Sequence, residues 1–466
     1  MTLTLSKALT LAACVGLSLG VRAALADDDD DTPDKFGVPA SSIAHSLPDN
    51  GDPGGVRAAA AARGITYGWT FTGEVFGNAS GGIKRETVFE ERFDAHVKAD
   101  LEKLIGAKGL SFYVSETQTN GTGGVRRDAV PSLATLSNIE AVPAVRLFEL
   151  WFEQKFADDK ASLRVGQLAA DSEFFISDYS DIFFTSGWAS IVSNNLPDGD
   201  AAWPLATPGV RLKIDADKNL ALLVGLFNGN SAGPGAGDPQ VRDRSGTAFR
   251  LRDPPLLIGE MQYKYNQDPH TDALAGAIKL GAWHHFGEFS DQRFDINGLS
   301  LADPAGNGMP AQRRGDSGIY AIIDQQIYRP HGGGADKGIG LFGRISASPS
   351  DRNIIDFFAD GGILFSGMIP ARPDDKFGAT VVYSRISDTA SALDADQIAF
   401  SGLPRPVHDY EMVLELSYQA QIVPGWTVQP DFQYVIHPGG NMPDPTMPAM
   451  AIKNAAIFGL RTTIKY

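Results

Sequence analysis

Two short runs hold the side chains with the most chemistry. In Arg146-Leu-Phe-Glu-Leu-Trp-Phe-Glu-Gln, strand alternation puts Glu149, Trp151 and Glu153 on one side and Phe148, Leu150 and Phe152 on the other. Further on, Lys279, Trp283 and His285 share a side that Ile278 and Leu280 do not. Carboxylates accept from hydroxyl groups, cationic side chains donate to them, and an indole face can lie against an apolar ring. That set suits weak, reversible recognition of a polyhydroxylated solute and makes or breaks no bonds.

Sequences that resemble reactive sites fail on their surroundings. Gly229-Asn-Ser-Ala-Gly233 has the spacing of a nucleophile elbow, but Pro234-Gly-Ala-Gly follows where a helix is required. Gly315-Asp-Ser-Gly318 is followed by Ile319 and lacks a disulfide framework, so no Ser-His pair is expected. His284 and His285 are adjacent on a strand and point to opposite faces, which prevents them from gripping one ion. The acidic runs Asp27 to Asp31 and Asp374-Asp375 lack calcium-loop spacing and read as solvated charge. No Gly-Lys-Ser or Gly-Lys-Thr loop is present for phosphate. No catalytic residue, metal or cofactor is therefore expected.

The elements that must carry these side chains are strands. From Tyr410 to Ile422, and again from Trp426 to Ile436, every second residue is apolar or aromatic; Phe458, Leu460, Thr462, Ile464 and Tyr466 repeat the pattern. Candidate strands fall near 66–77, 86–101, 109–118, 144–156, 161–169, 208–216, 219–228, 255–265, 274–287, 317–329, 337–347, 355–366, 376–387, 409–423, 425–435 and 455–466, about sixteen in all. Short links alternate with mostly longer ones, as in an outer-membrane barrel with short periplasmic turns and long external loops. Tyr410, Trp426, Tyr434, Phe458 and Tyr466 at strand ends suit the boundary between lipid tails and water. The fold expected is all-β, an antiparallel up-and-down transmembrane barrel. A soluble β protein would also alternate, but it would not need outward aromatic girdles.

Composition agrees. Lys7, the apolar run Ala8 to Val21 and Ala24-Leu25-Ala26 predict a cleaved signal peptide over 1–26. Residues 27–63 read as a flexible or weakly helical extension, and 64–466 as the barrel domain. Cys14, the one cysteine, lies in the apolar run, so the exported chain has no thiol for a disulfide or a metal. Mean hydropathy is −0.12 and no segment reaches the ~18 apolar residues of a membrane helix. The net charge of −16 argues against a nucleic-acid partner.

A bore of this width needs narrowing before it can select. The segment Asp171 to Thr207 carries Phe174, Phe175, Tyr179, Phe183, Phe184, Trp188 and Trp203, too much aromatic surface for a loop in water. With Asp171, Glu173 and Asp178 it is expected to fold into the bore as a constriction loop, most of its rings fixing it to the wall. Charges facing lipid are costly, which assigns Arg92, Arg164, Arg211, Lys213, Arg344 and Arg461 to the lumen. Each either touches solute or stiffens the wall through a salt bridge. Trp151 and Trp283 are the expected stacking surfaces.

Several stretches resemble the carbohydrate-selective porins of the OprB type: Leu136-Ser-Asn-Ile-Glu-Ala, Arg146 to Gln154, Arg164-Val-Gly-Gln-Leu-Ala-Ala-Asp-Ser-Glu-Phe-Phe-Ile-Ser-Asp-Tyr, Pro204-Leu-Ala-Thr-Pro-Gly-Val-Arg-Leu, Phe227-Asn-Gly-Asn, Arg372-Pro-Asp-Asp, Tyr410 to Gln421 and Gln429-Pro-Asp-Phe-Gln-Tyr-Val. The resemblance runs from about Gly64 to Tyr466. It implies a sixteen-stranded outer-membrane barrel, an inward third external loop and facilitated diffusion of sugars. Family members mostly end in Phe; Tyr466 still offers a terminal aromatic to the barrel-assembly machinery. Outer-membrane lipid and small sugars are the expected partners, in a monomer or homotrimer. The alternatives are a general or anion-preferring porin, a barrel-borne enzyme and a soluble glycan-binding β protein.

Overall fold

The computed structural model describes residues 37–268 and 271–466. The expected signal peptide over 1–26 lies outside the described residues. Sixteen strands form one closed antiparallel sheet in which each pairs with its sequence neighbours. They are β1 (Ile65–Ser80), β2 (Thr87–Asp100), β3 (Leu110–Gly121), β4 (Ala144–Phe156), β5 (Ala161–Leu168), β6 (Thr207–Asp215), β7 (Leu220–Asn228), β8 (Pro255–Tyr265), β9 (Gly276–Asp295), β10 (Pro310–Tyr328), β11 (Gly338–Ala347), β12 (Ile355–Ser366), β13 (Lys376–Ile386), β14 (Tyr410–Val423), β15 (Trp426–Ile436) and β16 (Ala455–Lys465). β1 and β16 close the barrel, with Glu74 opposite Arg461 inside and Val75 opposite Leu460 outside.

Alternation sets the two faces. Phe152, Val165, Leu226, Leu280 and Leu460 are exposed on the outer wall, while Glu149, Arg211, Lys279, Arg344 and Glu415 are buried on the inner one. The inner wall is thus polar yet largely buried, because loops pack against it. Phe148 departs from the expected order. The β3–β4 register shifts between Val114 and Glu116, and Phe148 meets the edge of Trp203 at 5.5 Å instead of lipid.

β9 and β10 run past the strands that alternation predicts and into the stretch 288–316 expected as a loop. Their extensions stand beyond the lipid, where no apolar side is needed, and ion pairs such as Arg313 with Asp291 at 2.6 Å hold them. The loop 387–409 contains a helix over Asp388–Ser401, begun by the Ser387 side chain accepting from Ala390 N at 3.2 Å and ended at Gly402 with φ +68°.

Residues 37–63, read from composition as flexible or weakly helical, fold against the barrel seam. The short turns Ile43–Ser46 and Pro48–Gly51 and the helix Val56–Ala62 bring Arg57 to full burial. Its guanidinium donates to Gly37 O at 2.7 Å and Tyr67 O at 3.1 Å and lies 4.6 Å from the Tyr466 ring. Tyr466 in turn stacks on Trp69 at 5.3 Å and donates its hydroxyl to Gly51 O at 2.5 Å. A single buried cation turns an Ala- and Gly-rich segment into packed structure.

Candidate functional site

Loop 169–206 leaves β5 and crosses to the far side of the barrel. Near its start, Ala169 N donates to Glu149 at 3.1 Å, and Arg211 binds Glu173 at 2.6 and 2.8 Å and Glu153 at 2.8 Å. Arg164 adds contacts of 3.6 Å to Glu153 and 3.3 Å to Glu173. Farther along, Phe175 N donates to Glu260 at 2.9 Å, and Lys279 donates to Ile176 O at 2.8 Å and Asp178 at 3.1 Å. Arg344, paired with Asp360, donates to Phe175 O at 3.0 Å. Glu415 accepts from Phe184 N at 2.7 Å, Thr185 N at 3.0 Å and the Thr185 hydroxyl at 2.5 Å. The contacts on β8, β9, β11 and β14 can only be made through the bore.

The aromatic residues complete the anchoring. Phe175 stacks on Tyr320 at 4.1 Å, with Trp188 and Phe358 edge-on; Phe184 meets Phe76 and Phe183 meets Phe342. Phe174 packs on Phe227, and Tyr179 joins the cluster of Phe183 and Leu364. Phe174, Phe175, Phe183, Phe184 and Trp188 are thus buried against the inner wall.

A second loop enters beside it. From 122–143, Ser132, Leu133 and Ala134 donate to Glu411 at 2.7, 2.9 and 2.8 Å, and Gln433 donates to Leu136 O at 2.9 Å. Arg461 binds Glu74 at 2.7 Å and Asn138 at 2.7 Å and lies 3.8 Å from the Phe184 ring, tying both loops to the seam. The sequence reading left 122–143 outside the bore. Its signal lay in Leu136-Ser-Asn-Ile-Glu-Ala, a stretch noted for resemblance but not for position.

The expected solute contacts divide accordingly. Glu149, Glu153, Arg164, Lys279, Arg344 and Arg461 face inward, and their polar groups are engaged by loop or wall partners. Trp151 is sandwiched between Tyr113 at 4.8 Å and Arg164 at 3.9 Å. Trp283 is only 3% exposed and packs beside Tyr320, so it offers no open stacking face. His285 is buried and bonds Gly229 O at 2.7 Å, holding the loop 229–254. His284 and Ser317 do form a hydrogen-bonded pair, 2.7 Å apart, which the sequence reading did not foresee. They are cross-strand neighbours on the outer wall and satisfy each other there.

What stays open is a cavity of about 680 Å³ between the two inward loops and β2. Arg92, Arg126, Glu140, Asp171, Trp188 and Trp203 are among its lining residues. Arg92 lies 3.6 Å from the Trp203 ring and bonds Asp94 at 2.8 Å, and Trp203 N donates to Asp171 at 2.9 Å. Burial pushes the Asp171 carboxyl up to about 6, against the Trp203 N–H bond and the Arg92 charge, which lower it. Glu140 is also raised by burial, opposed by the backbone N–H groups of Arg126 and Arg127. The arrangement combines charges of both signs with an aromatic face around one open space.

A sixteen-stranded barrel with two loops folded into a polar bore defines a porin: it conducts small solutes and is not an enzyme. The family described as carbohydrate-selective porin, OprB family, matches residues 87–466, and the chain belongs to it. Porin B of Pseudomonas aeruginosa is 25% identical over 412 residues, which cover 84% of this chain and 87% of that protein. The high-pH structure of Pseudomonas putida OprB superposes with a TM-score of 0.74 at 20% identity, covering 89% of this chain and 97% of the other. The low-pH structure of the same protein gives 0.53 at 18% identity over the same shares. The protein is thus a carbohydrate-selective porin of the outer membrane.

Proposed function

We propose that sugars pass through the cavity between loops 122–143 and 169–206 and make their closest contacts with Arg92, Asp171 and Trp203. The observation that carries this reading is the division of the inner wall. Charges elsewhere are taken up by loop or wall partners, whereas this space is open, with a cationic donor, a carboxylate acceptor and an aromatic face together. Its volume of about 680 Å³ suits a monosaccharide or small oligosaccharide with its water. Passage is passive and contact is weak, because a channel that retains its solute stops conducting.

Arg92, Arg126 and Arg127 are matched around the cavity by Glu140, Asp171 and Asp238, which speaks against a preference for anions. In the same reading, residues 1–26 direct export, Tyr466 presents the terminal aromatic to the assembly machinery, and Glu149, Trp151, Glu153 and Arg164 shape the passage without binding solute. Liposome swelling with sugars and amino acids of similar size tests the selectivity. Faster entry of the sugars is expected, and equal rates would overturn it.

A further inference from the structure

The Tyr466 side chain is engaged at both its ring and its hydroxyl. The ring lies 5.3 Å from Trp69, nearly parallel at 13°, and 4.6 Å from the Arg57 guanidinium, while the hydroxyl donates to Gly51 O at 2.5 Å. The backbone is engaged as well. Trp69 N donates to Tyr466 O at 3.0 Å and Tyr466 N to Trp69 O at 2.8 Å, the last rungs of the β1–β16 seam. Two of these partners, Arg57 and Gly51, come from the segment 37–63, which lies across that seam as a strap. It meets β1 where Arg57 donates to Tyr67 O at 3.1 Å, β16 at Tyr466, and the β14–β15 turn at Gly425, where an added Cβ would stand 2.0 Å from Ile43 N.

The strap has little of its own to hold it together. Val38 and Ala44 are its only buried apolar side chains, and Leu47 and Val56 are exposed, too little burial to offset the entropy of ordering the segment. Asp52 sets the start of its helix, accepting from Arg57 N at 2.9 Å and Ala58 N at 3.0 Å. Arg57 itself is 1% exposed, pairs with no carboxylate among the described residues and keeps an unpartnered Nη1. A buried cation without a counter-ion is costly, and here two carbonyls and the rings of Tyr67 at 5.4 Å and Tyr466 offset that cost. Without the Tyr466 ring beside β1, Arg57 loses a principal partner. That ring arrives only when β16 has paired with β1.

We propose that residues 37–63 are a closure-sensing strap: they fold onto Tyr466 once β16 meets β1, and by covering the terminal ring they release the barrel from the machinery that assembles it. One ring cannot be held by Arg57 and Gly51 and by a second protein at the same time, so strap and machinery exclude each other and each shifts the equilibrium of the other. Release is thereby coupled to closure. Once folded, the strap also holds the seam shut. The inference rests on the reading of Tyr466 as the aromatic presented for assembly and is independent of the solute path.

The test follows the full chain in proteoliposomes that hold purified barrel-assembly machinery, with the machinery captured through a tag at timed intervals. Wild-type chain is expected to leave the machinery as its heat-modifiable form appears. Arg57→Ala should reach the heat-modifiable form yet stay captured, with release about fivefold slower. In the finished variant the Gly459 to Lys465 amides of β16 should exchange hydrogen about tenfold faster than in wild type, while those of β8 and β9 keep their rates. Should Arg57→Ala fail to fold, Arg57→Lys, which keeps the charge and loses the planar fork, is expected to show both changes in smaller measure. Release at the wild-type rate overturns the proposal, as does faster exchange spread evenly over the barrel. Tyr466→Ser tests the reading beneath it: capture is expected to fall, and unchanged capture would overturn the role of Tyr466 in assembly whatever the exchange rates show.

Discussion

Two parts of the same inner wall treat charge in opposite ways. On β8 to β16, Glu260, Lys279, Arg344, Glu411, Glu415 and Arg461 are bonded to the backbone or side chains of the inward loops. On β2, Arg92 faces the open cavity and shares its guanidinium between Asp94 and the Trp203 ring. Both sets obey the rule that charge avoids lipid. Only the second leaves charge facing open space, so pointing into the bore does not by itself leave a side chain free to touch solute.

The comparison is broken most severely if the anchored side proves functional. Trp283→Ala should cost about 3 to 5 kcal/mol of stability, lowering the yield of heat-modifiable barrel, because it empties a filled site beside Tyr320. Sugar block of single-channel current in the folded fraction should be unchanged; a selective loss of block would return Trp283 to the passage. Glu415→Gln replaces an acceptor of three loop hydrogen bonds by an amide that presents donors to donors. Destabilisation of about 2 kcal/mol is expected. Conductance should rise several-fold as the loop loosens, and a wild-type conductance would mean that the rings alone hold it.

Arg92→Ala sharpens the contrast from the other side. Its loss should weaken sugar block about tenfold, on the order of 1.4 kcal/mol, with little change in barrel stability. Equal block in mutant and wild type would remove Arg92 from the solute path. The smallest effect concerns pH. Asp171, raised by burial to about 6, is neutral below that pH and negative above it. Cation preference in reversal-potential measurements should therefore fall as pH drops through about 6, and Asp171→Asn should show the low-pH selectivity throughout. The same sign holds for stability: the protonated form favours the packed loop, so its contribution is full below the ordinary carboxylate range and declines as pH rises through about 6.

Much of the fold was legible because a strand's period is short and lipid enforces it. All sixteen strands stand near their expected places, and the aromatic density of Asp171 to Thr207 announced a buried loop. Legibility ended where lipid ended. The extensions of β9 and β10 and the helix Asp388–Ser401 lie outside the bilayer and follow no single alternation. At the site, alternation gives Glu149, Trp151, Lys279 and Arg344 a common side of their strands but cannot reveal what stands in front of them. The sequence made Trp283 a stacking surface and Trp203 one ring of the loop; Trp283 is packed beside Tyr320, and Trp203 meets Arg92.

By itself, the order of residues determined the barrel, its strand count, the sign of each face and the presence of an inward aromatic loop. These depend on local periodicity and on the cost of exposing polar groups to hydrocarbon, both properties of neighbouring residues. The tertiary structure alone decided which lumen charges remain available, where loop 122–143 enters and how Arg57 gathers residues 37–63 onto the seam. Those outcomes turn on contacts between residues tens to hundreds of positions apart, and a hydrogen bond satisfied by a distant backbone group leaves no trace in the pattern that surrounds it.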